Sequence, residues 1–438
     1  MQRSRPQSRG PSIRRLAVPK THPVAPPPLR GCALPLATYR RRRQAALRLA
    51  KQAFGGPVPI LVIASPWSDP VLDLTPVAGR HRQDPWFDWL CGCAEGGALL
   101  LLDPQHRQPD TLFLEVGDPA RVVWDGARLP PNAATKKALG MSAVAPMEEL
   151  KGRLARACDA AGGRLAMLWR DREPGWQSQA VAQWRRKLRG IELLNAEPLL
   201  VPLRRRKDAD EVALTRRAIA VTWAGLKAVL PQIPRMRTEA ELAGALIGAY
   251  LSAGYDHLAF QPIVGSAVNG ATLHYKHNDG KLLAKAPVLI DSGATHAGYC
   301  ADVTRTLPQH GRFDDPRFRE VYELVLRANA LGRRHARPGI TLRELNELAW
   351  KPILDAGFPR LHGLSHLIGL DVHDPGTSPD LVLEAGMIIS NEPGVYLPEE
   401  GFGIRIEDDL LITADGCEEL TRMIPKTVKA VEKAMAGG

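Results

Sequence analysis

The first 68 residues of this 438-residue chain contain neither aspartate nor glutamate. The same stretch holds 13 of the 58 lysines and arginines, so the rest of the chain has 45 basic residues against 47 acidic ones. The formal net charge of +11 therefore comes from one end of the sequence. A folded body so close to neutral excludes a broadly basic surface that would track the phosphates of a nucleic acid.

Long apolar runs are also missing, and cysteine is scarce. No run approaches the roughly 20 apolar residues that a membrane-spanning helix needs. Arg14 and Arg15 precede a polar, proline-rich segment rather than the apolar core of an export signal. Of the six cysteines only Cys91 and Cys93 lie close together, which excludes a disulfide framework. The sequence predicts a cytoplasmic protein with no membrane partner and no nucleic-acid partner.

The composition that remains is that of a folded protein. Hydrophobic residues make up 45% of the chain and charged residues 24%, enough for two or three domains with real cores. Residues 1–37 are the exception, because arginine, proline and serine without apolar periodicity predict a basic disordered tail. A solvated arm, an arginine-rich transit peptide and a nucleic-acid contact are all compatible with this tail.

Residues 38–202 carry the pattern of an α/β domain. Strand-length apolar runs near residues 60, 98, 111, 121 and 165 alternate with helical patterns near 40–53, 147–161 and 178–189. The aromatic segment RQDPWFDWLCGC in this domain fits a packed turn as well as it fits a site. The mixed-charge run LRRRKDADE then marks a change of domain, so residues 203–438 form the next unit.

Residues 203–438 contain an internal repeat. The capping boxes that begin at Thr238 and Thr341 are 103 residues apart, and so are the helix-ending Gly254 and Gly357. After each glycine come a histidine-bearing segment and two strand-like runs. We therefore predict an α+β domain made of two halves that are related by a pseudo-two-fold axis.

Each half supplies two acidic residues from those strand-like runs. Asp291 and Asp302 in the first half correspond to Glu392 and Glu407 in the second, at separations of 101 and 105 residues. A pseudo-two-fold axis would bring all four to one central place. Buried carboxylates repel one another unless cations neutralise them, and four match the needs of a two-metal site.

A fifth ligand is expected from the segment HGLSHLIGLDVHD, which holds His362, His366 and His373. A single histidine on an apolar face is usually part of the core, but a cluster of three before the acidic strands favours contact with metal or substrate. Oxygen-rich coordination with one imidazole favours Mn(II), while Co(II), Fe(II) and Zn(II) stay open.

These segments resemble a known family. LIDSG, ADVTRT, HGLSHLIGLDVHD, NEPGVY and GIRIEDD are similar, position by position, to the ligand motifs of the Xaa-Pro aminopeptidase (aminopeptidase P) and prolidase family of pita-bread metallopeptidases. The resemblance covers roughly residues 38–425 and includes RQDPWFDWLCG, which is similar to a creatinase-like N-terminal domain. It implies an α/β creatinase-like domain followed by a pita-bread catalytic domain.

The resemblance also implies roles for the ligands. Asp302 and Glu407 would bridge two divalent metal ions, Asp291 would bind one of them, and His366 with Glu392 would hold the other. A hydroxide that bridges the metals would then attack the carbonyl before a proline in the second position of a peptide substrate.

Further residues take catalytic roles by the same resemblance. Glu392 would carry the proton from the nucleophile to the leaving nitrogen, and His373 would stabilise the oxyanion. His274 and His362 would flank the proline pocket, Arg405 would lie near the product side, and Tyr396 would support the same wall.

Several alternatives remain at this point. A dipeptidase restricted to Xaa-Pro would use the same chemistry, and a non-catalytic pita-bread module would bind a partner instead. Arg405 could simply pair with Glu407 or Asp408, and Asp302 and Thr304 could be ordinary polar residues at a strand end. The resemblance makes a homodimer or homotetramer plausible.

Overall fold

A computed structural model describes residues 32–66, 82–169 and 176–437. Residues 1–31 of the predicted tail lie outside the described residues. The fold begins slightly before the predicted boundary at residue 38, because Leu34 is buried and the first helix begins at Leu36. In the described part of the chain, no helix is long and apolar enough to cross a membrane.

The N-terminal domain is a six-stranded sheet covered by helices. Its strands are β1 (Ile60–Ile63), β2 (Leu99–Leu102), β3 (Asp110–Leu114), β4 (Ala143–Pro146), β5 (Arg164–Met167) and β6 (Glu192–Asn195). Its helices are α1 (Leu36–Ala53), α2 (Pro85–Cys91), α3 (Val122–Asp125), α4 (Ala133–Leu139), α5 (Leu150–Ala160), α6 (Trp176–Lys187) and α7 (Glu197–Arg205). The predicted boundary between residues 202 and 203 falls within α7.

The strand order of this mixed sheet is β4-β3-β2-β1-β5-β6. β2 runs antiparallel to both β1 and β3, and the other neighbours are parallel. Alternate residues of β1 face opposite sides: Ile60 and Val62 join the core beneath α1 and α2, whereas Leu61 joins the core beneath α5. This continuous burial explains why strands such as ILVI read as unbroken apolar runs.

The prediction of a strand near residue 121 is wrong. The segment RVVWDG forms the short helix α3, and Val123 and Trp124 are 86% and 83% exposed. An apolar run forms a core strand only if other elements cover it, and these two side chains are left uncovered. The sequence also gave no signal for β4 and β6, which are strands of four residues.

The C-terminal domain combines helices with small antiparallel sheets. Its helices are α8 (Ala209–Val229), α9 (Glu239–Ser252), α10 (Pro316–His335), α11 (Leu342–Asp355) and α12 (Val428–Met435). Its strands are β7 (Ile263–Ser266), β8 (Pro287–Ser292), β9 (Thr295–His296), β10 (Tyr299–Cys300), β11 (Val303–Pro308), β12 (Ile388–Asn391), β13 (Gly394–Leu397), β14 (Phe402–Arg405), β15 (Asp408–Ile412) and β16 (Cys417–Glu419).

The internal repeat is visible in this domain. α9 and α11 each have 14 residues, and each begins at a threonine whose side chain accepts a hydrogen bond from the backbone of the glutamate three residues later. Thr238 pairs with Lys281 and Thr341 with Val382 in isolated β-bridges. Gly254 and Gly357 end the two helices with φ of 84° and 86°, a conformation that favours glycine.

The strands of this domain form sheets in the orders β11-β8-β7, β12-β15-β16, β13-β14 and β10-β9. One large core joins both halves, and Ile290 of β8 and Ile389 of β12 are both part of it. Because β8 and β12 hold equivalent places in the two halves, their ends bring the acidic residues of the repeat toward each other.

Candidate metal centre

Four acidic side chains come together where the strands of the two halves meet. Asp291 lies in β8 opposite Thr304 of β11, and Asp302 directly precedes β11. Glu392 follows β12, and Glu407 links β14 to β15. The Glu407 backbone N–H donates to the Thr304 carbonyl at 3.0 Å, which joins the two halves at this place.

A histidine lies among these acids. One ligand atom each from Asp302, His366 and Glu407 lie within 4.8 Å of one another. His366 Nε2 is 3.5 Å from Asp302 Oδ2 and 3.4 Å from Glu392 Oε1. His366 Nδ1 is 3.2 Å from the carbonyl oxygen of Leu367, so that nitrogen is the donor and Nε2 faces the acids.

The electrostatics of this cluster call for positive charge. Burial raises the pKa of Asp302, Glu392 and Glu407, and the carboxylate of Asp291 adds to the rise in each case. Asp291 Oδ1 is buried and has no hydrogen-bond partner among the residues that the structure describes. Carboxylates packed in this way are stabilised by a bound cation, and an oxygen-rich set with one imidazole is suited to a divalent metal. The residues present therefore fit metal ions.

Arg405 connects this cluster to an aromatic wall formed by Trp350, His362 and Tyr396. Its Nη2 donates to Asp291 Oδ2 at 2.6 Å, and its Nε donates to Thr304 Oγ1 at 3.1 Å. Thr304 in turn donates to Glu407 Oε2 at 2.6 Å. Direct pairing of Arg405 with Glu407 or Asp408, the alternative left open by the sequence, is therefore not what the structure shows: the carboxylate partner is Asp291.

A second nitrogen of the Arg405 guanidinium group is linked through Tyr396 to the His362 ring. Arg405 Nη1 donates to the Tyr396 hydroxyl at 3.0 Å, and that hydroxyl lies 2.9 Å from His362 Nε2. His362 Nδ1 is 2.8 Å from the carbonyl oxygen of Gly363, so Nδ1 carries the hydrogen and Nε2 accepts one from Tyr396. Burial lowers the pKa of His362 to about 4, so this ring is neutral at neutral pH.

The two remaining predicted histidines lie around the cluster. The ring centroid of His373 is 4.2 Å from that of His366, and His373 is exposed. His274 is exposed in the loop after β7, and its charge contributes to the lowered pKa of His362. The structure thus brings the predicted site residues to one region, with His274 linked to it through electrostatics.

Comparison with known proteins identifies the family. The model for metallopeptidase family M24 matches residues 213–414, and the model for the aminopeptidase P N-terminal domain matches residues 39–165. The Xaa-Pro aminopeptidase of Haemophilus influenzae is 31% identical over an alignment of 388 residues, and the match covers 81% of this chain and 88% of that protein. The chain belongs to the aminopeptidase P family. It is therefore a metallopeptidase and a hydrolase.

Solved structures support the same assignment. Aminopeptidase P from Escherichia coli in its low-pH form superposes with a TM-score of 0.79 at 28% identity, covering 92% of this chain and 98% of that one. The predicted fold, a creatinase-like domain followed by a pita-bread domain, is confirmed. A zinc-substituted Escherichia coli aminopeptidase P in complex with product also matches, with a TM-score of 0.76, 27% identity and the same coverage. Divalent metal ions are thus in keeping with the family.

Two residues of this aminopeptidase P site were not predicted. Asp409 is fully buried, and its Oδ2 accepts a hydrogen bond from the Asp302 backbone at 3.2 Å. Ser390 Oγ accepts from the His366 backbone at 2.9 Å and donates to Glu392 Oε1 at 3.2 Å. Ser390 in IIS and Asp409 in EDDLLI are polar residues within apolar strands, and this pattern could have indicated them. The sequence does not show which groups they contact.

Proposed function

We propose that this protein hydrolyses the bond between an N-terminal residue and a proline in the second position of a peptide, with the help of two divalent metal ions. The observation that carries the proposal is the group formed by Asp302, His366 and Glu407, whose ligand atoms lie within 4.8 Å of one another. Asp291 and Glu392 complete the proposed ligand set. The relatives named above support the Xaa-Pro specificity.

Mn(II) is the proposed ion, because four carboxylates and one imidazole form an oxygen-dominated set; Co(II), Zn(II) and Fe(II) fit less closely. When bound, such a pair would polarise the substrate carbonyl and lower the pKa of water toward about 7, which would supply hydroxide at neutral pH. The residues that would hold the ions are Asp291, Asp302, His366, Glu392 and Glu407.

The remaining chemistry belongs to side chains of the protein. Glu392 is half-buried and burial raises its pKa, so its carboxyl group is suited to take a proton and return it to the leaving proline nitrogen. His373 is exposed beside His366 and would donate a hydrogen bond to the oxyanion. Ser390 keeps the Glu392 carboxylate oriented through its hydroxyl.

The aromatic wall would receive the proline. His362 is neutral, and Trp350 and Tyr396 pack against it edge-on with ring centroids at 5.3 and 5.5 Å. A neutral imidazole and a phenol ring offer an apolar surface to the pyrrolidine ring. Arg405 supports this wall from beneath and is itself held by Asp291. His274, which is exposed, would flank the proline together with His362.

The decisive experiment compares peptides with and without residues after proline. Purified protein is stripped of metal, reloaded with Mn(II), and assayed on matched Xaa-Pro and Xaa-Pro-Yaa substrates. We expect release of the N-terminal residue from Xaa-Pro-Yaa, and no such activity in the Glu407→Gln variant. Activity confined to the dipeptide would favour a prolidase instead. A protein that is inactive on both and binds no metal would be a non-catalytic module.

Three wider features form part of the proposal. We infer a basic tail that ends before the buried Leu34, a domain boundary within α7 near residue 203, and a homodimer or homotetramer in solution. Light scattering would test the oligomeric state. A cytoplasmic location is consistent with the cysteines, since none of the six, all in the described ranges, is paired.

A further inference from the structure

Two sequence segments have no part in the function proposed above, and they meet in the structure. Trp86 belongs to the aromatic segment in α2, and Arg204 belongs to the mixed-charge run at the end of α7. The guanidinium carbon of Arg204 lies 4.5 Å from the centroid of the Trp86 ring, and Trp86 Nε1 donates to Glu197 Oε1 at 3.1 Å. Trp86 and Arg204 are only 1% and 2% exposed. This arginine is therefore fixed by the N-terminal domain.

The same guanidinium group reaches the loop that carries His373. Arg204 Nη2 donates to Asp371 Oδ2 at 2.6 Å and to Asp374 Oδ1 at 2.7 Å. Lys207 Nζ donates to Asp374 Oδ2 at 3.0 Å. Two cations thus pair with two carboxylates in this network. These contacts flank His373 on both sides along the chain.

The backbone of this loop is folded closely around Asp374. The Asp374 N–H donates to the Leu367 carbonyl at 2.8 Å, and the Asp371 N–H donates to Asp374 Oδ1 at 3.3 Å. A Cβ on Gly369 would lie 2.6 Å from Asp374 Oδ2, so only glycine leaves room for the carboxylate. The position of His373 relative to His366 therefore depends on where the Asp374 carboxylate is held.

We infer that Arg204 is a positioning residue for catalysis: through Asp371 and Asp374 it holds His373 beside the metal ligands, and it thereby makes the N-terminal domain part of the catalytic arrangement. The inference rests on the oxyanion role proposed for His373. A buried ion-pair network stabilises a fold little better than apolar residues of the same shape, but it demands defined geometry. That property suits a device that places one side chain.

A double-mutant cycle tests this inference in the full-length protein loaded with Mn(II). We expect Arg204→Gln to lower kcat for an Xaa-Pro-Yaa peptide by about 10- to 100-fold, the usual effect of losing a residue that orients an active-site group. KM should change less than about threefold. In the His373→Ala background the same substitution should cost less than about twofold, because the group that it positions is gone. Arg204→Lys should recover part of the rate.

A neighbouring arginine provides the matched control. Arg206 pairs with Glu384 at 3.2 Å, and both side chains are about half exposed, at 52% and 47%. Exposed pairs contribute little, so Arg206→Gln should keep the wild-type kcat. Metal content and melting temperature are measured for every variant.

The possible outcomes separate the inference from the proposed function. Wild-type protein without Xaa-Pro activity overturns the proposed function, and the inference falls with it. Active wild-type protein with additive effects of Arg204→Gln and His373→Ala overturns the inference alone, as does a loss of metal that accounts for the lost rate. If Arg204→Gln does not fold, Asp371→Asn replaces it in the same cycle. The Asp371 side chain is 21% exposed, and its substitution removes only one partner of Arg204.

Discussion

At the residue scale, Asp302 contributes both to the proposed metal site and to the repulsion within it. We expect Asp302→Asn to lower kcat about 100-fold or more, because the proposed site loses a charged ligand. The metal-free variant should nevertheless melt at a higher temperature than metal-free wild type, because asparagine is neutral and avoids the cost of burying a carboxyl group whose charged form is disfavoured there. Peptide assays with Mn(II) and calorimetry in chelator measure the two effects.

Asp314→Asn is the matched control for this prediction. Asp314 is an exposed residue that pairs with His310 at the surface, so this variant should keep wild-type activity and should not gain stability in chelator. Unchanged kcat in Asp302→Asn would remove Asp302 from the proposed ligand set.

The buried histidine beside Tyr396 gives a prediction about pH. The pKa of His362 is lowered from 6.5 to about 4, so the unfolded chain binds more protons than the native one between these values. Stability from this group is complete above pH 6.5 and falls as the pH drops through 4, by up to about 3 kcal/mol. Urea unfolding at pH 7.5 and at about pH 5 should show a smaller loss for His362→Gln than for wild type.

The exposed His277 provides the control, since His277→Gln should follow the wild-type pH profile. An equal loss of stability in His362→Gln and wild type would mean that this imidazole is not kept neutral by burial.

The residues of the proposed ligand set have a signal in the sequence, whereas the contacts of the residues that orient them have none. Acidic residues in apolar strands, repeated at nearly constant spacing, are a signal in the sequence itself. The partners of Thr304, Ser390 and Asp409 depend on which backbone groups the fold brings to them. Thr304 and Glu407 are 103 residues apart, and no local sequence pattern predicts their hydrogen bond.

At the scale of elements, the close approach of β14 to the turn at residues 267–271 gives a further prediction. A Cβ on Gly403 would collide with the carbonyl group of Gly270. Gly403→Ala should therefore push β14 outward, lower the free energy of unfolding by about 1–3 kcal/mol and reduce kcat, because Arg405 lies two residues further along this strand. Urea unfolding and the Xaa-Pro-Yaa assay measure both effects.

Gly416 offers a glycine without this constraint. Apart from its chain neighbours, no described residue has an atom within 4 Å of the position that a Cβ would take there, so Gly416→Ala should change stability by no more than about 0.5 kcal/mol. If Gly403→Ala behaves like this control, the approach of the two backbones does not position Arg405.

Elements were predictable where local sequence determines them. The helix starts at Thr238 and Thr341 follow from capping residues that act within one turn. The segment RVVWDG has the apolar pattern of a strand, but whether it forms one depends on packing partners elsewhere in the chain. Among the described residues, none buries Val123 or Trp124.

At the scale of the whole molecule, the repeat explains how distant residues form one site. The pseudo-two-fold arrangement was predictable because both halves have a threonine N-cap with glutamate three residues later, and a glycine that ends the helix. The contact between the domains was not: Arg204 and Asp374 are 170 residues apart, and the mixed-charge run around Arg204 does not indicate which carboxylate the arginine contacts. Such ion pairs form where two folded domains pack against each other. Hydrophobic periodicity predicts local secondary structure and does not indicate which residues meet at an interdomain contact.

The proposed metal site should couple the stability of the whole molecule to pH. In the metal-free protein, burial raises the pKa of Asp302 and Glu407, so the native state binds more protons than the unfolded chain. This contribution to stability is complete below the ordinary carboxylate pKa and is lost as the pH rises through the raised values. Metal ions replace those protons, so Mn(II) should increase the melting temperature more at about pH 8 than at about pH 5.5, and binding should release protons. Calorimetry with and without Mn(II) at both pH values measures the coupling, and Glu407→Gln, with one titrating ligand fewer, should weaken it. An increase that is equal at both pH values would show that these carboxyl groups are already ionised before metal binds.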